Sequence, residues 1–299
     1  MKASVLLLFL ILANAAAAEN LLVVERGSSA LHFKNPAGVV AASYNLSPAH
    51  PGLPVKSGGY FHPFKTPAGL VLTEVAPADH PHHRGIFLGW VEMHGKKDAD
   101  FWGWGQHAPT KDRIIIPANE NTSGFPTTNK WMAEGEVLIW ERLDASMKAV
   151  TNAHLLTLAY ALTPVDDIEL ARWAFSGFCV RTRKDGQITA YDSDGEVKHA
   201  NPKHTEPQTD WPDRKWYAYK LEFEDGKTGG VAVINHPANP PTLWHNHRDV
   251  RMLNPCIVAP ASLKLQKGKT LTLRYRVLAF DGAVPSQLLD RLATKWSRN

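Results

Sequence analysis

Apolar residues along this chain fall into short runs of strand length, at 21–24, 69–75, 86–91, 137–141, 155–162, 168–175, 188–191, 216–223, 230–234 and 271–280. Turn-forming pairs punctuate them: Asn35-Pro36, Asp185-Gly186, Asp194-Gly195, Asp225-Gly226 and Lys267-Gly268. Runs of this length between such pairs predict an antiparallel β architecture. The clearest is 271–280, whose two-residue period sets Arg274 and Arg276 on one face and apolar side chains on the other. A single segment has a different period. After Pro285-Ser286, the residues Leu288, Leu289, Leu292 and Trp296 recur at helical spacing with Lys295 and Arg298 near the end. This predicts a C-terminal helix at about 286–296. No internal repeat, linker or low-complexity tract interrupts the pattern. The predicted fold is mostly β: a large antiparallel β-sandwich, one domain over residues 19–299, closed by that helix. The strand-rich stretch is too long for a simple immunoglobulin-size sandwich.

The N-terminus reads differently. Lys2, an apolar run at 5–12 and a small-residue stretch at 13–18 ending before Glu19 have the three parts of a secretory signal peptide. Cleavage is expected after Ala18, with export to a bacterial periplasm or beyond. No later run reaches the roughly 18 apolar residues of a membrane span, so none is expected once the signal is removed. The formal charge of +4 comes from 33 basic and 29 acidic residues spread along the chain. Without a concentrated basic patch, nucleic acid is a poor partner. The two cysteines, Cys179 and Cys256, fit one disulfide or two buried thiols equally well.

Ten tryptophans and fourteen histidines change the picture most. Asp79-His80-Pro81-His82-His83-Arg84-Gly85 places three His, an Asp and an Arg between two strand-like runs, and Phe101-Trp102-Gly103-Trp104-Gly105-Gln106-His107 follows. So polar a cluster suits a pocket loop crossing one end of a sandwich. A second constellation is Asn235-His236-Pro237-Ala238-Asn239-Pro240-Pro241, then Trp244-His245-Asn246-His247-Arg248. Both follow a strand-like run and carry a His-Pro pair, and the expectation is that they meet in one pocket. The candidate catalytic residues are His82, His83 and Arg84 with His236 and His247. Asp79, His80, Trp102, Trp104, His107, Asn239 and Trp244 are candidates for holding substrate. Trp102 and Trp104, beside small glycines, would present flat faces to a sugar ring, whereas Trp131, Trp140 and Trp173 sit inside strand-like runs and read as core. The histidines offer nitrogens for a metal ion, so metal stays open, but no established ligand spacing is present. Without a nucleophile elbow, a Walker loop or a Rossmann fingerprint, neither a serine hydrolase nor a nucleotide or dinucleotide enzyme is expected, and no cofactor other than that metal ion.

The His-Pro-His-His-Arg-Gly run, Asp100-Phe101-Trp102 and the stretch from Gly230 to Asn239 resemble the PmoA-like family of exported bacterial proteins over nearly the whole chain past the signal. That resemblance implies a β-sandwich comparable to the galactose-mutarotase-like supersandwich, in proteins of carbohydrate-degrading bacteria. Trp216-Tyr217-Ala218-Tyr219 departs from the family pattern, which has an acidic residue near the tryptophan. The expected function is an exported carbohydrate-active enzyme, a lyase, hydrolase or epimerase acting on a sugar or glycoside through histidine acid–base chemistry. The alternatives are a non-catalytic glycan-binding module and a metal-dependent oxygenase, as the family's common label suggests.

Overall fold

The computed structural model describes residues 21–47, 58–104, 114–117 and 124–296. The expected signal segment and His107 lie outside the described residues. Two antiparallel sheets dominate. The first has seven strands, in the order Val23–Arg26, Ala30–Lys34, Val40–Asn45, Tyr60–Phe64, Ile86–Gly89, Gly177–Arg181 and Met252–Leu253. The second has nine, in the order Gly195–Val197, Gln187–Asp192, Trp216–Glu222, Thr228–Asn235, Leu271–Asp281, Ala153–Pro164, Glu136–Val150, Thr127–Ala133 and Ile114–Pro117.

The two-residue period makes these sheets a sandwich. In Ala153–Pro164 it turns Leu156, Leu158, Tyr160 and Leu162 inward, and in Leu271–Asp281 it does the same for Leu273, Tyr275, Val277 and Ala279. They pack against Phe33, Phe61, Leu88, Phe178 and Val180 of the seven-stranded sheet. Phe178 lies flat on Tyr275, with ring centroids 4.1 Å apart. Each fully buried side chain of this size stabilises the fold by roughly 2 kcal/mol. The sandwich and the C-terminal helix follow the sequence expectation.

The outer face of the nine-stranded sheet is apolar where the helix Ser286–Trp296 covers it. Leu289, Ala293 and Trp296 pack on Leu155, Trp216, Ile234, Leu278 and Phe280. Trp216 Nε1 donates to Asp290 Oδ1 at 2.8 Å, and Arg276 Nη1 donates to the carbonyl of Leu292 at 3.0 Å. A cation at the last helical turn also offsets the negative end of the helix dipole.

The outer face of the seven-stranded sheet is covered by loops instead. Tyr60, Phe87, Cys179 and Met252 pack beneath Val75, Val91, Trp102, Phe175 and Val250. The expectation of a loop across one end of the sandwich is therefore corrected: the His-rich loop crosses a sheet face. Two expected strands also shrink. Residues 69–75 make only single bridges, Val71 to Lys65, Thr73 to Thr182 and Val75 to Arg84, and 168–175 retains only Ile168–Leu170.

Alternation overrides hydrophobicity in Glu136–Val150. Ile139, Glu141 and Leu143 face the core, while Trp140, expected there, is 40% exposed with Lys130 over its ring. Glu141 accepts hydrogen bonds from Trp131 Nε1 at 2.7 Å and from Asn129 Nδ2. Burial pushes its carboxyl up to about 7, against the pull of those two donors. Cys179 and Cys256 are buried free thiols.

Candidate functional site

The Asp79–Gly85 run folds into a tight knuckle. His80 N donates to Pro77 O and His83 N to His80 O, at 3.0 and 2.9 Å, so two turns overlap. Ala76 N donates to His83 O, closing the base of the knuckle. Gly85 has φ +64°, and a Cβ there would lie 2.3 Å from the carbonyl oxygen of Phe61. Only glycine lets the chain pass back into the sheet at that point.

Asp79 anchors the knuckle. It accepts from Arg181 Nη2 at 2.9 Å and Lys184 Nζ at 2.8 Å, and pairs with His80 Nδ1 at 2.9 Å. Burial alone would raise its carboxyl, but Lys184, His80 and Arg181 together hold it well below the usual range. Arg84 is 2% exposed, lies 4.6 Å over the Phe87 ring and donates to Phe101 O at 3.1 Å. It braces the second loop from beneath. Gly103, at φ +112°, would place a Cβ 2.5 Å from His82 Cβ. That glycine brings the second loop against the histidine rather than making room for a ligand ring.

These contacts assemble a cluster of rings. His80 stacks on His83 at 4.9 Å, and His82 meets His83 edge-on at 4.6 Å. Trp102 stands edge-on to His83 at 5.6 Å, and Trp104 lies 6.2 Å from His82. Across from them is a second group. His204 lies 5.8 Å from Trp104, 5.5 Å from His245 and 5.7 Å from His247, and Phe175 touches both Trp104 and His204 at 5.2 Å. Between the two groups is a slot of about 10 Å³, room for a single water-sized group.

Four of the imidazoles, His83, His204, His245 and His247, are held neutral. Burial, then the neighbouring His82 and Arg181, drives His83 far below the ordinary histidine value. Arg181 Nη1 faces its Nδ1 at 3.4 Å, so Nδ1 is the acceptor and Nε2 carries the hydrogen. Burial and then His245 lower His204. His247 falls to about 4 through burial, then His245 and His204. Behind them His245 Nδ1 faces Asp210 Oδ1 at 3.0 Å, with both side chains fully buried. Burial raises Asp210 to about 8 and lowers His245 to about 3, so the pair is a neutral unit sharing a proton.

The second His-Pro loop does not join this cluster. His236 meets Trp296 edge-on at 4.7 Å, and its Nδ1 accepts from Ala238 N at 3.0 Å. Asn239 bonds Asn235 Oδ1 and both the N–H and C=O of Arg274, pinning the proline-stiffened turn to its own sheet. Trp244 is fully buried against Trp211 and Tyr217 in the main core. The physical reason is topological. Thr228–Asn235 lies in the nine-stranded sheet beside the C-terminal helix, and only the chain beyond Trp244 reaches the other sheet, through Met252–Leu253. Of that constellation, His247 reaches the ring cluster, with His245 beside it.

Phe175, Arg181, His204 and Asp210 belong to the site but were not expected. His204 had a visible signal, a third polar stretch with two histidines and a proline at 199–204. Phe175 is hidden inside an apolar run, and Arg181 opens the basic stretch Arg181-Thr182-Arg183-Lys184, which carries no sign of the loop above it. Among the described residues no group of three or more His, Cys, Asp or Glu side chains is arranged to hold a metal ion. His204 stacks on His245 and His247 at 26° and 19°, so their faces meet rather than their lone pairs converging. A second cavity, of about 830 Å³, opens beyond the turn at 248–251 and includes Arg183, Lys184, Phe223 and Arg251. Arg183 pairs with Asp185 and Lys227 with Asp225 there, while Arg251 Nη1 is buried without a hydrogen-bond partner. Among the described residues, no helix is long and apolar enough to cross a membrane.

A family described as "Family of unknown function (DUF6807)" matches residues 37–294. No protein of curated function matches the chain. Among solved structures, a polysaccharide lyase is 10% identical with a TM-score of 0.39, over 81% of this chain and 33% of that one. This chain thus spans about a third of the lyase. A galactose mutarotase related enzyme from Lactobacillus acidophilus is 7% identical with a TM-score of 0.37, over 88% of this chain and 97% of that one.

Proposed function

The chain belongs to the DUF6807 family of unknown function, and on that premise we propose that it is an exported carbohydrate-active enzyme working through neutral histidines at the ring cluster. The observation that carries this reading is the meeting of imidazoles and indoles from four distant segments, at 80–83, 102–104, 204 and 245–247. A sugar has apolar faces and polar edges, which suits indole beside imidazole. Neutral imidazoles lining one slot can do complementary proton work. His83 has Nδ1 engaged by Arg181, and His204 Nδ1 is buried without a hydrogen-bond partner. One takes a proton from the substrate and the other returns one, which fits a lyase, hydrolase or epimerase. Arg84 braces the Phe101 carbonyl in this scheme and does not touch substrate.

Export is part of the proposal, supported by the N-terminal signal pattern, and so is membership of the PmoA-like group, supported by the His-Pro-His-His-Arg-Gly run. The test is a product screen of the purified chain against ordinary and oxidised glycosides, with His83→Ala and His204→Ala alongside. Turnover that both substitutions abolish, in proteins that melt normally, supports the reading. Turnover that survives both overturns the site assignment. Tight sugar binding without any product assigns the chain to the glycan-binding class. Stoichiometric copper, iron or zinc by elemental analysis would favour the oxygenase alternative.

A further inference from the structure

We propose that the cavity of about 830 Å³ beyond the 248–251 turn holds the body of the substrate, a neutral oligosaccharide that runs from the ring cluster over that turn. The inference rests on the carbohydrate reading above and deepens it to a substrate class. The first observation is size. At about 10 Å³ the slot among the rings holds one water-sized group, so most of any sugar must be gripped elsewhere. The neighbouring cavity falls within the roughly 300–1,000 Å³ of sites that bury small molecules, which is room for several sugar units.

The second observation is position. Val250 and Met252 line the slot, and Arg251 between them lines the cavity. The turn is therefore a wall common to both. A second link joins them, because Lys184 of the cavity pairs at 2.8 Å with Asp79, the anchor of the histidine knuckle. Arg251 has φ +60°, a backbone conformation costly for any residue with a side chain. Its Nη2 donates to the carbonyls of Gly186 at 2.7 Å and Lys184 at 3.3 Å, which hold it in place. Backbone held in this way collects at ligand sites, and here it forms the shared wall.

The third observation is the chemistry of the lining. Four cationic side chains, Arg183, Lys184, Lys227 and Arg251, stand against four acidic ones, Asp185, Glu222, Glu224 and Asp225. Arg183 is spent on Asp185 and the carbonyl of Val71, and Lys227 on Asp225. The balance leaves no net positive charge to draw a phosphate or a polyanionic sugar. Hydroxyls suit such a lining, because each can donate to a carboxylate and accept from a guanidinium or ammonium hydrogen. Leu70 and Phe223, the latter with Arg183 4.9 Å over its ring, supply apolar surface for the C–H faces of the sugar.

The test is calorimetric titration of the purified full-length chain with cellotetraose, maltotetraose, mannotetraose and xylotetraose, against glucose, mannose, xylose and trigalacturonate. At least one tetraose should bind about tenfold or more tighter than its monosaccharide. Gln187→Trp puts a large side chain into the cavity from an exposed strand position, where it costs the fold little. It should bring the tetraose down to the affinity of the monosaccharide and leave the monosaccharide unchanged. Lys227→Trp, at a side chain 67% exposed, serves the same purpose if the first variant does not fold. Monosaccharides binding as tightly as every tetraose overturns the inference and leaves the carbohydrate reading standing. Binding of no sugar of any length overturns both. Trigalacturonate binding tighter than all the neutral tetraoses overturns the assignment to a neutral glycan. A tetraose affinity that survives in the filled variant places the glycan elsewhere and overturns the inference too.

Discussion

Single residues carry two consequences of their own. Glu141 is held at about 7 in the folded protein against an ordinary value of 4.5. Between those values the folded chain keeps a proton that the unfolded chain has released. Glu141 therefore contributes stability that is fully present below about 4.5 and is lost as pH rises to about 7, by roughly 3 kcal/mol if the whole shift is expressed. The histidines held neutral act with the opposite sign over the same range, so the Glu141 contribution is read as the difference between wild type and Glu141→Gln in urea denaturation at about pH 5 and about pH 8, the wild type losing more stability than the variant on going to the higher pH. Gly103 is the second case. A methyl group there meets His82 Cβ at 2.5 Å, on a backbone at φ +112°. Gly103→Ala should cost about 2 kcal/mol or more and lower the melting temperature by about 5 °C. It should also weaken ligand binding, since the second loop can no longer close on the histidine knuckle.

At the scale of elements, the C-terminal helix and the second His-Pro loop form one unit on the back of the nine-stranded sheet. Leu289 is fully buried there, and Leu289→Ala should destabilise the protein by about 3 kcal/mol in chemical denaturation. His236 belongs to the same unit through Trp296. His236→Ala is expected to lower the melting temperature while leaving sugar binding at the wild-type level, with His83→Ala as the contrasting variant. A loss of binding in His236→Ala would place that loop back in the site. The helix itself was legible from its 3.6-residue period. Where its loop neighbour would go was not, because a His-Pro pair carries the same local information on either side of a sandwich.

The whole molecule decides what the site is. The seven-stranded sheet has one face in the core and the other under loops, and rings from 80–83, 102–104, 175, 204 and 245–247 meet only because those loops share that face. His83 and His204 both line one slot. The effects of His83→Ala and His204→Ala on binding should therefore be strongly non-additive in a double-mutant cycle, unlike those of well-separated residues. Simple additivity would mean that the two histidines do not act on one ligand.

The amino-acid sequence by itself determined the strand-rich class, the large sandwich, the terminal helix and the first histidine cluster. Those properties follow from local causes: the two-residue period, turn chemistry, helical spacing and a density of polar side chains that no core accepts. It did not determine which sheet face each loop covers. That depends on strand order, which joins residues far apart in the chain and leaves no short-range trace. Tertiary structure therefore separated His236, Asn239 and Trp244 from the site and brought in His204, Phe175, Arg181 and Asp210. It turned Trp140 outward and Glu141 inward, because register, once set by the neighbouring strands, fixes the face of every residue regardless of its polarity. It also settled the cysteines as two separate buried thiols, one beneath the loops and one in the main core.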